Sequence, residues 1–300
     1  MIGEGNQAYV DNNLPEAIRV MQEVIRIEPR AVAAWSVLGQ CYEDIEEKHK
    51  ALQLRIMAAH LRHDAEEWDR LAKQSRALGY NQQALYCYRK IYSLDPTNVD
   101  ALWDRASLAK EMGVFRTAKN AYFAILKHFP HDITVLRELH TTLVELNELS
   151  TCAILLQAAL DHYMSTEPSA GDADGVGRMD LLLLADLYNV LGEHQRAIQV
   201  IRHGTRWLQG RMDQKFWDIC DDDREYDLGG WPERSSIGEG NIQVPAGHYE
   251  LDSNARHRLA VARIKMGDAE EGRVCHSAGL LTLIYHVLVA CKCRPCRRCD

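Results

Sequence analysis

The sequence predicts an all-α solenoid of stacked two-helix hairpins, and three observations carry that prediction. Small and large apolar residues recur at a spacing of 33 or 34 through the first half of the 300-residue chain. A Gly or Asn recurs at the turn inside nearly every unit, where a helix ends in the left-handed conformation. Pro29, Pro96 and Pro130 close three of the units, where a residue that cannot continue a helix turns the chain into the next. Self-similarity at a period of about 20–50 residues marks a repeat array rather than a single globular core.

The units read in order. The first holds Gly5, Ala8, Ala17, Met21 and Pro29, and begins without the full length of its first helix. The second holds Trp35-x2-Leu38-Gly39-x2-Tyr42 and then Ala51, which is the tetratricopeptide signature. Trp68, Leu71, Ala72, Ala84 and Tyr88 form the third; Leu102, Ala106, Ala118 and Tyr122 form the fourth. The fifth follows with Leu136, Leu139, Leu143, Cys152 and Leu156. After a break come a sixth unit, with Leu181, Leu184, Ala185, Tyr188 and Ala197, and a weaker seventh, with Leu259, Ala260 and Gly272. The inner turn holds Asn12, Glu46, Gly79, Gly113, Asn147, Gly192 and Gly267, so Glu46 is the exception. Small residues belong where the two helices of a hairpin approach, and large ones fill the space around them. One hairpin cannot bury its own apolar face, so neighbours stack. Nearly every aromatic is expected in that core. The array is expected to wind as a right-handed superhelix.

This gives a layout of five repeats over 1–164, a flexible loop at 165–177, a sixth repeat at 178–207, an acidic irregular insert at 208–252 and a partial seventh repeat at 253–273. The loop is Gly-, Asp- and Ser-rich with no periodicity. Residues 211–252 carry eleven acids against four bases, most of the chain's net charge of −8. Asp221, Asp222, Asp223 and Glu225 form a run flanked by Trp217 and Trp231. It reads equally as a solvated loop and as a docking segment, because tryptophans beside an acidic run need something to pack against. A basic protein surface or the solenoid's own groove would serve.

Residues 274–300 break the pattern. Periodicity stops after Arg273, and the sequence turns apolar, then Cys- and Arg-rich. Cys291-x-Cys293-x2-Cys296-x2-Cys299 resembles half a zinc site, yet structural sites bring ligand pairs together from separated segments. The stretch reads as a non-native continuation, such as a retained intron or shifted frame, and no metal is expected. Its apolar run of thirteen residues, 278–290, is shorter than the ~20 needed to span a bilayer. Cys41, Cys87, Cys152 and Cys220 are scattered singly, as buried intracellular thiols are. No signal pattern follows Met1, so a soluble intracellular chain is expected.

Composition and motifs narrow function by exclusion. A pI near 5.9 argues against gripping nucleic acid over the whole surface. Gly3-x-Gly5 has no strand before it, no HExxH or GxSxG is present, and His60-x2-His63 suits a helix end better than a ligand pair. No enzyme and no cofactor are expected. What remains is a groove. The first helix of each tetratricopeptide unit lines it, and its groove positions hold Lys73, Arg76, Trp103, Lys110 and Arg137, with Gln40, Glu43, Glu66 and Asp69 among the others. Basic residues beside a tryptophan suggest a site for an acidic or extended peptide.

The run Gly5-Asn6-Gln7-Ala8-Tyr9-Val10, reaching Glu16-Ala17 and then Ile25-Arg26-Ile27-Glu28-Pro29, resembles the tetratricopeptide subunit of general transcription factor IIIC. So does the acidic segment at 221–227 before a late Lys265-Met266-Gly267-Asp268. The resemblance covers about residues 1–273. It implies a nuclear scaffold of RNA polymerase III transcription that recruits transcription factor IIIB through its grooves. The partners it implies are that initiation machinery and other transcription factor IIIC subunits, with DNA reached only through the complex and no membrane. The acidic leader and second array of that family are missing, so a fragment or truncated gene model is expected. Two other classes stay open: a scaffold of another large assembly (anaphase-promoting, ciliary or RNA-processing), and the tetratricopeptide arm of a glycosyltransferase. If the tail is foreign to the array, deleting 275–300 leaves the thermal midpoint unchanged or raised. Zinc bound at a stoichiometry near one, and lost in Cys293→Ser with Cys296→Ser, would sink that reading.

Overall fold

The computed structural model describes residues 1–166, 175–226, 247 and 249–274. The 165–177 loop is thus described only in part. Trp231 and the tail cysteines Cys291, Cys293, Cys296 and Cys299 lie outside the described residues. Two compact units result, 1–130 and 131–300. In the first, α1 (Ile2–Val10) pairs with α2 (Leu14–Ile27), α3 (Val32–Asp44) with α4 (Lys48–Arg62), α5 (Ala65–Ala77) with α6 (Asn81–Leu94), and α7 (Val99–Glu111) with α8 (Phe115–Leu126). Within this unit α2, α4 and α6 also pack on the first helix of the next pair. In the second unit, α9 (Ile133–Glu145) pairs with α10 (Leu149–Thr166) and α11 (Arg178–Leu191) with α12 (His194–Leu208). A 3-10 turn at Lys215–Ile219 and an irregular segment then lead to α13 (Ser253–Met266) and the short α14 (Ala269–Val274). The fold is all-α, a solenoid of tetratricopeptide hairpins.

Helix ends explain the punctuation. Asn12, Glu46, Gly79, Gly113, Asn147, Gly192 and Gly267 all have positive φ, from 56° at Asn147 to 95° at Gly267. Glu46 adopts the same conformation at φ 65°, where a Cβ costs roughly 1–2 kcal/mol. Four of the first helices, α5, α7, α9 and α13, start on side-chain caps. Asp64 accepts from Glu66 N–H, Asn98 from Ala101 N–H, Asp132 from Thr134 and Val135 N–H, and Asp252 from Asn254 N–H. Each cap satisfies a donor that the first turn cannot satisfy itself, worth about 1 kcal/mol.

The core follows the small-and-large pattern. Ala84, Ala106, Ala118, Ala185 and Ala197 are wholly buried. A Cβ on Gly204 of α12 would meet the Leu181 side chain of α11 at 2.6 Å, so a larger residue there would force Leu181 to move. Trp68, Tyr88, Tyr122, Tyr188 and Trp207 fill the surrounding space and are buried. Trp35 and Trp103 depart from the expectation and are only half-buried. The Trp35 indole reaches out to donate to Pro29 O at 2.8 Å.

Cys41, Cys87, Cys152 and Cys220 are buried free thiols. Burial pushes the Cys87 thiol up to about 11 and the Cys152 thiol up to about 12. An unfolded thiol titrates near 8.5, so between that pH and about 11 the folded chain holds protons that the unfolded chain has released. Stability is therefore full below pH ~8.5 and falls as pH rises, by an amount on the order of 2 kcal/mol per thiol by pH ~10.5. The urea midpoint is expected to drop over that window in the wild type and to drop less in Cys87→Ala with Cys152→Ala. An equal drop in both would refute this assignment.

Candidate functional site

On the first-helix face of the first unit, the bases come with acids. Lys73 Nζ lies 2.6 Å from Asp69 Oδ2, one turn earlier on α5. Arg76 crosses from α5 to Glu111 on α7 at 2.8 Å. Lys110 is half-buried and likewise engaged. The Tyr88 hydroxyl donates to Asp104 Oδ2 at 3.2 Å, and burial with that carboxylate raises the phenol's pKa well above its usual value. The Trp103 ring stands edge-on to Tyr122, centroids 5.8 Å apart. Nearer the start of the unit, Arg55 of α4 reaches through to Glu43 and to Gln40 Oε1 at 3.0 Å. The face is mixed in sign, with a half-open tryptophan at its centre. Of the basic groove positions in this unit, Lys73 and Arg76 are each matched by a carboxylate.

Arg137 belongs to the second unit and is committed there. Its Nε and Nη2 donate to Asp180 at 2.8 and 2.7 Å. The same carboxylate accepts the Gly177 N–H at 2.8 Å and so caps α11. A bidentate pair that also starts a helix is a structural element, and Arg137 drops out of the candidate groove.

The acidic run turns inward. Asp223 is buried and accepts from Arg263 Nε and Nη2 at 2.9 and 2.8 Å, while its own N–H donates to Glu271 Oε1 at 2.8 Å. Glu225 is buried between Arg206 and Arg211. The Arg206 Nε is 3.0 Å from Oε2 without aiming its N–H at that oxygen, and Arg211 Nη2 is 3.3 Å from Oε1. Asp222 pairs with Arg224. Asp221 keeps its side chain 93% exposed. Beside them, Arg202 donates to Trp217 O and Cys220 O at 2.6 and 3.2 Å. Trp217 is buried and packs edge-on to Tyr249. The expectation of a docking run is corrected here. The basic surface that receives Asp223 and Glu225 is α12, α13 and the turn after α12, so Asp221 alone of the four is presented to solvent. The readable signal was α12 itself, HQRAIQVIRHGTRWL, which carries three arginines and no acid. Among the described residues, no group of three or more His, Cys, Asp or Glu is placed to hold a metal, and no helix is long and apolar enough to cross a membrane.

No family model matches the chain. Its sequence is similar to that of the transcription factor tau subunit sfc4 of Schizosaccharomyces pombe, 30% identical over 292 residues, covering 91% of this chain and 28% of that protein. The general transcription factor 3C polypeptide 3 of Homo sapiens is 31% identical over 207 residues, covering 67% of this chain and 22% of that protein. The transcription factor tau 131 kDa subunit of Saccharomyces cerevisiae is 26% identical over 277 residues, covering 76% and 27%. The chain spans less than a third of the length of each. Among solved structures, a tetratricopeptide repeat protein from Parabacteroides merdae is similar at a TM-score of 0.30 and 14% identity, over 96% of both chains.

The buried pair gives a direct test. Arg263→Met leaves Asp223 charged and unpaired, and should cost about 3–5 kcal/mol of unfolding free energy. Arg263→Met with Asp223→Leu removes both charges and should cost much less. Equal losses, measured by urea denaturation, would mean that packing rather than charge holds the segment.

Proposed function

We propose, on the premise that the chain is a homologue of the tetratricopeptide subunits of general transcription factor IIIC, that it is a non-catalytic nuclear scaffold of RNA polymerase III transcription. The observation that carries this reading is the 30% identity to the fission yeast tau subunit along 91% of the chain. Its partners are other subunits of that factor and transcription factor IIIB, with DNA engaged only through the assembly. Partner segments dock on the first-helix face of the first unit, at Lys73, Arg76, Trp103 and Lys110. An acidic or extended segment would trade places with Asp69 and Glu111 and cover the open edge of Trp103. Supporting this, the Lys73 side chain is 64% exposed, and exposed ion pairs are weak and yield readily to a competing carboxylate.

Calorimetry and binding kinetics of the full chain with purified transcription factor IIIB subunits test the reading. Trp103→Ala should leave association unchanged and speed dissociation, costing roughly 2 kcal/mol or more for a true anchor. Lys73→Glu with Arg76→Glu should slow association, most visibly at low salt. Unaltered affinity in both variants would refute the first-helix site. No binding to any of the subunits by the wild type would refute the scaffold reading.

A further inference from the structure

Charge is divided between the two helices of the second, third and fourth hairpins of the first unit. The second helices α4, α6 and α8 contain no Asp or Glu, yet carry Lys48, Lys50, Arg89, Lys90, Arg116 and Lys119. Arg55 and Arg62, also on α4, reach Glu43 on α3 and Glu67 on α5. The acids sit on the first helices, two or three each on α3, α5 and α7.

Around Tyr86 this division becomes a shaped surface. A groove of about 510 Å³ is lined by Gln53, Ile56 and Met57 of α4 and by Gln82, Gln83 and Tyr86 of α6. Met57 is 45% exposed. The Tyr86 hydroxyl lies 2.9 Å from His60 Nε2, and its ring stands edge-on to the buried Trp68, which fixes the wall. Arg89 and Lys90 lie over that ring, 5.4 and 5.5 Å from its centroid. Arg105 of α7 completes the cluster. Burial, and then the like charge of Arg89, lowers its pKa. Its Nε is buried without a hydrogen-bond partner, as is Oε1 of Gln83 on the groove wall. Among the described residues no carboxylate pairs with Arg89, Lys90 or Arg105, whereas Arg55, Arg62, Lys73 and Arg76 each have one.

We propose that the groove between α4 and α6, with Arg89, Lys90 and Arg105 beside it, is a second docking surface that takes an acidic peptide segment bearing an apolar side chain. The apolar side chain enters between Met57, Ile56 and Tyr86, and the flanking carboxylates meet the three cations. Incoming carboxylates displace no internal acid here, so the full charge attraction is available to the complex. A protein segment fits better than nucleic acid. The cations are clustered at an aliphatic and aromatic groove rather than spread along a stripe, and aliphatic walls give a phosphate backbone nothing. This surface is separate from the first-helix site, and each stands without the other.

Fluorescence anisotropy on the full chain tests it, using a labelled synthetic peptide that alternates Glu with Leu and Phe. A Lys-for-Glu version of the peptide and a duplex DNA serve as comparison probes. The acidic peptide should bind the wild type, and Arg89→Glu with Lys90→Glu should weaken it at least about tenfold. Met57→Glu, on an exposed site that cannot disturb the core, should weaken it as well. Lys73→Glu with Arg76→Glu should leave it unchanged. Binding that survives both the Arg89/Lys90 and the Met57 changes would overturn the proposal. Equal binding of the Lys peptide, or displacement of the acidic peptide by the duplex, would overturn it too.

Discussion

Everything in this chain depends on the close approach of two helices within a hairpin. Ala51, Ala84, Ala118 and Ala197 sit on the second helices with essentially no exposure, opposite Gly39, Ala72, Ala106 and Ala185. A methyl or a hydrogen at those positions lets the two helices of a hairpin approach closely. A Cβ on Gly39 would already lie 3.2 Å from the stem of Arg55. With that contact filled, neither helix has apolar surface left inside its own hairpin for the larger side chains. Those side chains therefore pack onto the neighbouring hairpin, and the stack follows.

The second unit shows what happens where the repeat gives out. Residues 211–226 offer few regular hydrogen bonds of their own, so arginines of α12, of the turn after it and of α13 supply the donors. Two of them converge on Glu225, one grips Asp223, and Arg202 takes two backbone carbonyls. The chain returns beside this segment at Gly247, whose N–H donates to Arg224 O; a Cβ there would stand 2.6 Å from Glu225 O. Buried ion pairs contribute little net stability, because desolvating both charges offsets most of their attraction. What they supply is position. Each unpaired alternative leaves a buried charge, so Asp223 and Glu225 are held where an opposite charge faces them.

The legible part of the structure is the part governed by short-range rules. Period, small residues, prolines and the left-handed turn residues are all local, and the turns at Gly79 and Gly113 could be placed from sequence alone. Even Glu46 yielded to its place in the repeat, since the turn is dictated by the helices on either side of it. The site was less legible, because side-chain pairing is decided between segments. Lys73 and Asp69 are neighbours on one helix, and that pair was readable. Arg76 with Glu111, Arg137 with Asp180 and Arg263 with Asp223 join residues 35 to 43 positions apart. No pattern within a unit reveals them. The acidic run was hard to place for the same reason: its composition allowed a solvated loop or a docking segment, while its partners lay in the acid-free helices α12 and α13 and the turn between them.

A net charge of −8 describes neither face of the first unit. On the first-helix face Lys73 is held by Asp69 of the same helix and Arg76 by Glu111 of the next first helix, so their fields largely cancel before reaching solvent. Among the described residues Arg89, Lys90 and Arg105 have no carboxylate partner, and their field extends outward until salt screens it, at about 8 Å under physiological conditions. A partner approaching the first-helix face must out-compete an existing ion pair, so selection there rests on shape and on the half-open Trp103. A partner approaching the second-helix face is drawn by charge first and sorted by the groove afterwards. The repeat makes this separation possible, because it gives each hairpin two exposed faces whose sequences vary independently of the buried contact between them.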